Sequence, residues 1–402
     1  MMRSVNRYGH ATRTQEAPVS VTSADSATQD GAPTRFRLVD CDVHPLFPDG
    51  LSSLAPFMSS AWARKLGLRE KEAWIEGLPN MGAFSIPTNG IYTSIDGSLR
   101  MDVIPTDGRT PASSPDLIIE QLLDPVGIDR AVLVQGNVFG LGGIPNAEIA
   151  KTIAHASNDW IHDVWTSTDE RFRQAIIVAP QDPVAAAAEI RRNAARKGAV
   201  QVYMPSNRKL MGDPFFYPIY EAAAECGLPV SVHPAAIESI YSGGPQISGE
   251  PPWFYIEWRA TLSLPHQANA ASLVAHGVFE RFPDLKIIFS EVGVLWILEL
   301  MYHMDKDWKG LRDETPWLKR LPSEYMLDHF RFTTQPFIET RKQEHLLQLF
   351  DMFDGDRILL FSTDYPHWDG DDPEFTIGRL PADVRDRIGS LNATELYGDR
   401  LL

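Results

Sequence analysis

The sequence predicts an α/β chain folded as a (β/α)8, or TIM, barrel, and three features carry that expectation. Eight apolar runs of strand length occur between Leu38 and Phe361, most of them separated by stretches with helical periodicity. The runs are apolar on successive residues, which implies burial on both faces, as a parallel barrel requires. The chain, at 402 residues, is long enough for one such barrel with insertions. A doubly wound open sheet is the second reading of the same alternation.

Residues 1–34 are rich in Ser, Thr, Ala, Gln and Asp and poor in large apolar groups, so they are expected to form a disordered tail. The first strand lies within Arg37–Pro45. It is followed by an insertion, 51–114, rich in Gly, Pro, Ser and Trp, expected to lie over the barrel mouth as a lid. A helix is expected over Asp116–Leu123 and a strand over Arg130–Gln135. A long helix follows over Asn146–Thr166, with Asn146 as its N-cap. Next come strand Phe172–Val178, helix Pro183–Arg196, strand Ala199–Met204, and helix Pro214–Cys226 closed by Gly227. Strand Pro229–His233 leads into a loop, Pro234–Leu264, and then helix Gln267–Phe282. The series ends with strand Leu285–Ser290, helix Leu295–Trp308, strand Phe330–Thr334, helix Lys342–Phe350 and a last strand Arg357–Phe361.

Composition narrows the function classes. With 53 acidic against 37 basic residues and a formal charge of −16, the surface repels nucleic acid. No apolar run is long enough to span a membrane, and the N-terminal stretch lacks the apolar core of a secretory signal. The two cysteines, Cys41 and Cys226, cannot form a disulfide framework. A cytoplasmic protein is expected.

In a parallel barrel the active site gathers at the C-terminal ends of the strands. The first strand ends in Asp40-Cys-Asp42-Val-His44, where period-two alternation aims Asp42 and His44 the same way. The fifth ends at His233, the sixth runs into Ser290-Glu291-Val-Gly293, and the eighth into Ser362-Thr-Asp364-Tyr-Pro-His367. Each alone has an ordinary structural explanation, such as a turn or a satisfied loop histidine. Two His and two Asp at three strand ends form a candidate site for one divalent metal, Zn²⁺ or Mn²⁺. His155, His162 and His276 sit on helices and are read as packing or surface residues. Gly140-Leu-Gly142-Gly143 lacks the third glycine of a dinucleotide fingerprint and is read as a flexible loop. There is no Gly-x-Ser-x-Gly elbow, which argues against a serine hydrolase.

The segments Asp40-Cys-Asp42-Val-His44, Val232-His233-Pro234, Arg281-Phe-Pro-Asp-Leu-Lys286 and Ser362-Thr-Asp364-Tyr-Pro-His367 together resemble the amidohydrolase superfamily. The resemblance is to the amidohydrolase-related branch that includes aminocarboxymuconate semialdehyde decarboxylase. It implies a metal-dependent enzyme with Asp42, His44, His233 and Asp364 as ligands. Two departures stand out. Asp42 occupies a position that is often His or Glu in the family. Glu291 occupies the place of a catalytic His, either as an acid/base group or as a salt-bridge partner.

The same ligands serve two reactions. In a decarboxylase of this branch, Asp364 donates a proton to carbon before CO₂ leaves an aromatic or unsaturated carboxylic acid. In a hydrolase, a metal-activated water attacks an amide or lactone while Asp364 moves the proton. A barrel kept only to bind small molecules is the third reading. Trp253, Tyr255, Trp258 and Arg259 follow a ligand strand and could wall a flat substrate, with Arg259 facing its carboxylate, and His367 is close enough to contribute. The same cluster could instead form a homo-oligomer interface.

Overall fold

A computed structural model describes residues 36–68, 99–235 and 255–402. The expected tail and residues 69–98 of the insertion lie outside the described residues. The strands are β1 (Val39–Val43), β2 (Arg130–Leu133), β3 (Phe172–Ile177), β4 (Ala199–Tyr203), β5 (Val230–Val232), β6 (Ile287–Phe289), β7 (Phe330–Thr333) and β8 (Leu359–Leu360). They form one eight-stranded sheet in sequence order, and every neighbouring pair is parallel. No ladder joins β8 to β1. Two backbone bonds close the ring instead, from Cys41 N–H to the Phe361 carbonyl (2.9 Å) and from His44 N–H to the Tyr365 carbonyl (2.8 Å). The expected (β/α)8 barrel is the fold.

Strand β1 explains how sequence becomes site. Every one of its residues is buried. Val39, Cys41 and Val43 pack into an apolar layer with Ile153, Trp160 and Trp165. Alternation therefore turns Asp40 and Asp42, with His44 just beyond, to the opposite, inner face.

The helices follow the expected order. Ala147–Trp160 begins where the Asn146 side chain accepts the N–H groups of Glu148 and Ile149, as its N-cap role requires. Asp182 caps Pro183–Ala194 in the same way. Three boundaries differ from expectation. The helix expected over Gln267–Phe282 is two, Leu264–Ala275 and Val278–Arg281, because Gly277 takes φ +66° between them. Only glycine fits there, since a Cβ would come within 2.4 Å of the Trp317 ring. The last strand shrinks to Leu359–Leu360 because Gly355–Ile358 is helical. Part of the expected loop Pro234–Leu264 is also helical, over Tyr255–Ala260.

The C-terminal segment forms further helical elements that the sequence reading did not anticipate, among them Asn392–Tyr397 and Gly398–Leu401. They seal the N-terminal end of the barrel. Arg130 Nε (2.7 Å) and Arg173 Nη2 (2.5 Å) both donate to the Leu401 carbonyl, and Tyr397 Oη donates to Gln201 Oε1 (2.7 Å). At the other end, the insertion returns to the chain at Leu99, which bridges His367, while Arg100 N–H donates to the Pro366 carbonyl (3.0 Å). Among the described residues, no helix is long and apolar enough to cross a membrane.

Candidate metal centre

The barrel brings four of the expected residues to one point. Asp42 is the last residue but one of β1, His44 lies just past its end, and His233 directly follows β5. Asp364 lies on the turn after β8 and Glu291 on the turn after β6. Both turn residues take left-handed backbone conformations, Asp364 at φ +59° and Glu291 at φ +52°. Non-glycine residues are held in that region only where surrounding contacts dictate it.

Asp42, His44, His233 and Asp364 are all buried, and each offers a ligand atom within 4.8 Å of the others. His44 Nδ1–H donates to the Val134 carbonyl (2.8 Å), and His233 Nδ1–H donates to the Pro234 carbonyl (2.8 Å). Each bond fixes the tautomer and turns Nε2 toward the centre. There, His44 Nε2 lies 2.8 Å from Asp364 Oδ1 and 3.7 Å from Asp42 Oδ1. His233 Nε2 lies 3.7 Å from Asp42 Oδ2 and 3.2 Å from Glu291 Oε2. Both Asp42 oxygens, His233 Nε2 and Asp364 Oδ2 are buried without a hydrogen-bond partner. Buried carboxylate oxygens are costly to leave unpaired. Two carboxylates and two imidazoles aimed at one spot suit a divalent cation such as Zn²⁺ or Mn²⁺.

The electrostatics agree with that fit. Burial pushes the Asp42 carboxyl well above its usual range, and Asp364 and Glu291 add to the push against His44. Burial and the neighbouring His44 hold His233 well below its ordinary value, so it is neutral and able to ligate. Burial also raises Glu291, to about 7, with Asp364 adding to the rise. Burial would raise Asp364 too, but His367 and His44 outweigh it and keep the group a carboxylate.

His367 Nδ1 is 2.7 Å from Asp364 Oδ1, and its ring stacks on His44 at 4.8 Å. A second cluster of Glu291, Asp364 and His367 thus adjoins the first. Arg259 reaches the same mouth, where it is ion-paired with Glu291 and Asp369. Trp253 lies outside the described residues, while Tyr255 and Trp258 belong to the helix Tyr255–Ala260.

Phe139 was not anticipated. It lies on the 3₁₀ helix Gly136–Gly143, whose second half, Gly140–Gly143, was expected to be a flexible loop. Its ring stacks on His233 at 4.0 Å and meets His44 edge-on at 5.0 Å. An aromatic residue shortly after the end of β2 was the only signal for it. Gly142 lets this helix sit close, since a Cβ there would fall 1.9 Å from the Ser206 carbonyl oxygen.

Comparison with known proteins places this geometry in a family. The chain is 26% identical over 306 residues to gamma-resorcylate decarboxylase of Rhodococcus jostii, covering 69% of this chain and 85% of that protein. It shares its fold with the 5-carboxyvanillate decarboxylase of Novosphingobium aromaticivorans, solved with manganese and 4-hydroxy-3-methoxy-5-nitrobenzoic acid. That match has TM-score 0.62 and 19% identity and covers 92% of this chain and 99% of the other. An amidohydrolase from Mycobacterium avium subsp. paratuberculosis matches with TM-score 0.64 and 21% identity, over 90% of this chain and 100% of its own. The family model for amidohydrolases matches residues 39–398, from the first barrel strand nearly to the C-terminus, and the chain belongs to the amidohydrolase family.

Proposed function

We propose that this enzyme is a metal-dependent decarboxylase of an aromatic carboxylic acid. The observation that carries the reading is the set of buried, unpartnered ligand atoms on Asp42, His233 and Asp364, beside His44. The decarboxylase relatives supply the reaction class. Asp42, His44, His233 and Asp364 would hold one divalent cation, Zn²⁺ or Mn²⁺. When bound, such an ion supplies positive charge that anchors the substrate's carboxylate and an adjacent oxygen.

The chain's own residues then divide the work. The backbone carbonyls of Val134 and Pro234 hold the two imidazoles in the ligating tautomer. Asp364, bonded to His367 Nδ1, takes the proton it needs from that ring and passes it to the carbon bearing the carboxylate. The carbon–carbon bond then breaks, its electron pair stays with the ring, and CO₂ leaves. Glu291 acts as a further acid/base group, with Arg259 setting its charge. Arg259, at the mouth beside Glu291 and Asp369, also steers the anionic substrate. The insertion, its return tied to Pro366 and His367, serves as a lid over the mouth. A cytoplasmic location and assembly with further copies of the chain complete the reading; two free cysteines accord with a reducing compartment.

The test is a panel of hydroxylated aromatic acids assayed for CO₂ release beside esters and amides assayed for hydrolysis, with metal-loaded enzyme. CO₂ release without hydrolytic product supports the decarboxylase. Hydrolysis without CO₂ replaces it with a hydrolase, and a protein that takes up no metal removes both.

A further inference from the structure

Asp40 is not among the four clustered ligand residues, yet it is completely buried at the seam where the barrel closes. Its Oδ1 accepts two backbone N–H groups, those of Asp42 (3.2 Å) and Thr363 (3.1 Å). Its Oδ2 accepts the Thr363 hydroxyl at 2.5 Å. That hydroxyl in turn accepts the Tyr365 N–H (3.2 Å). The pattern is specific in what it ties down. One N–H belongs to the ligand Asp42 itself, and the other two belong to the residues on either side of the ligand Asp364.

Asp364 needs such restraint. Its φ of +59° lies in the left-handed region, which a residue with a Cβ adopts at some cost. The seam is thinly bonded besides: β8 and β1 share no ladder, and across it the backbone offers the Val43–Tyr365 bridge and the bonds from Cys41 N–H and His44 N–H, beside the His44–Asp364 contact. A buried carboxylate accepting three donors is a strong, directional clamp. It joins the first and last strands at the point where each presents a carboxylate.

We propose that Asp40 and Thr363 form a clasp that sets the distance between Asp42 and Asp364 and so fixes the geometry of the cation site. Both are positioning residues, acting through the ligands. This rests on the metal-centre reading above, and it deepens that reading by naming what holds the two carboxylates in register. Groups that orient metal ligands commonly change affinity about 10–100-fold when removed.

The test is the dissociation constant of Mn²⁺ or Zn²⁺, measured by calorimetry on chelator-treated full-length protein. The proteins compared are wild type, Thr363→Val, Thr363→Ser and Asp40→Ala, each checked by circular dichroism and thermal melting. Thr363→Val keeps the β-branched shape and removes the hydroxyl, and it should weaken binding about tenfold or more. Thr363→Ser restores the hydroxyl and should bind within about threefold of wild type. Asp40→Ala should weaken binding at least as much as Thr363→Val; if it fails to fold, the Thr363 pair carries the test. A Thr363→Val protein that melts lower but binds metal like wild type overturns the clasp, leaving a purely structural bond. So does a Thr363→Ser protein as weak as Thr363→Val. A wild-type protein that binds neither metal overturns the metal-centre reading along with it, so the two failures are distinct.

Discussion

Asp364 carries the most demands of any residue in the chain. It is fully buried, sits in a left-handed conformation, and places one oxygen 2.8 Å from His44 Nε2 and 2.7 Å from His367 Nδ1. The second oxygen has no partner. Replacing Asp364 with Asn keeps the size but removes the charge and the capacity to relay a proton. Turnover should fall by about 10²-fold or more, while circular dichroism remains that of the folded protein. Unchanged turnover would remove Asp364 from the mechanism. The four proposed ligands were legible in the sequence because strand alternation and short motifs reach only a few residues. The surroundings were not. Arg259 meets partners 32 and 110 residues away, and Phe139 stacks on His233 across separate strands. Local pattern says little about such contacts; for Phe139 it offered only an aromatic residue shortly after β2.

At the scale of elements, the strands were readable because burial on both faces leaves an unbroken apolar run. The C-terminal elements were missed because their work is polar: carbonyls of Arg400 and Leu401 accept from Arg173 and Arg130 across more than half the chain. Tyr397 tests this floor. Tyr397→Phe leaves buried Gln201 Oε1 without its 2.7 Å donor and should cost about 1–2 kcal/mol. Denaturant unfolding should show a lower midpoint with unchanged slope. A midpoint equal to wild type would mean the floor is held by the arginines alone.

The helix Pro322–His329 gives a pH test. His329 stacks on Phe279 at 4.2 Å and its Nδ1–H donates to the Leu285 carbonyl at 2.7 Å. Burial, together with Lys286 and Arg320, lowers it from 6.5 to about 4. The unfolded chain therefore binds this proton first as pH falls. The stability that neutral His329 contributes is complete above pH 6.5 and drains away toward pH 4. His329→Gln should be less stable than wild type at pH 8, with the gap narrowing toward pH 4. Melting curves with a gap that stays constant across that range would contradict the buried, neutral histidine.

Across the whole molecule, the barrel sets two ends to different uses. The N-terminal end is sealed by the C-terminal segment and fixes the strands. The C-terminal end gathers acidic and imidazole groups from β1, β5, β6 and β8 into one buried cluster. Gathering Asp42, Glu291 and Asp364 without a cation sets like charges against one another, so an ion that binds only the folded state should stabilise it. At a free ion concentration about 100 times Kd the gain is about 2.7 kcal/mol, and chelation should lower the melting temperature accordingly. The most direct measurement is CO₂ release from hydroxylated aromatic acids by the enzyme as purified, after chelation, and after Mn²⁺ or Zn²⁺ is restored. Release should match the loss of acid, vanish with the chelator and return with the metal. No release from any acid, or release that persists undiminished in the chelated enzyme, would contradict the metal-dependent decarboxylase.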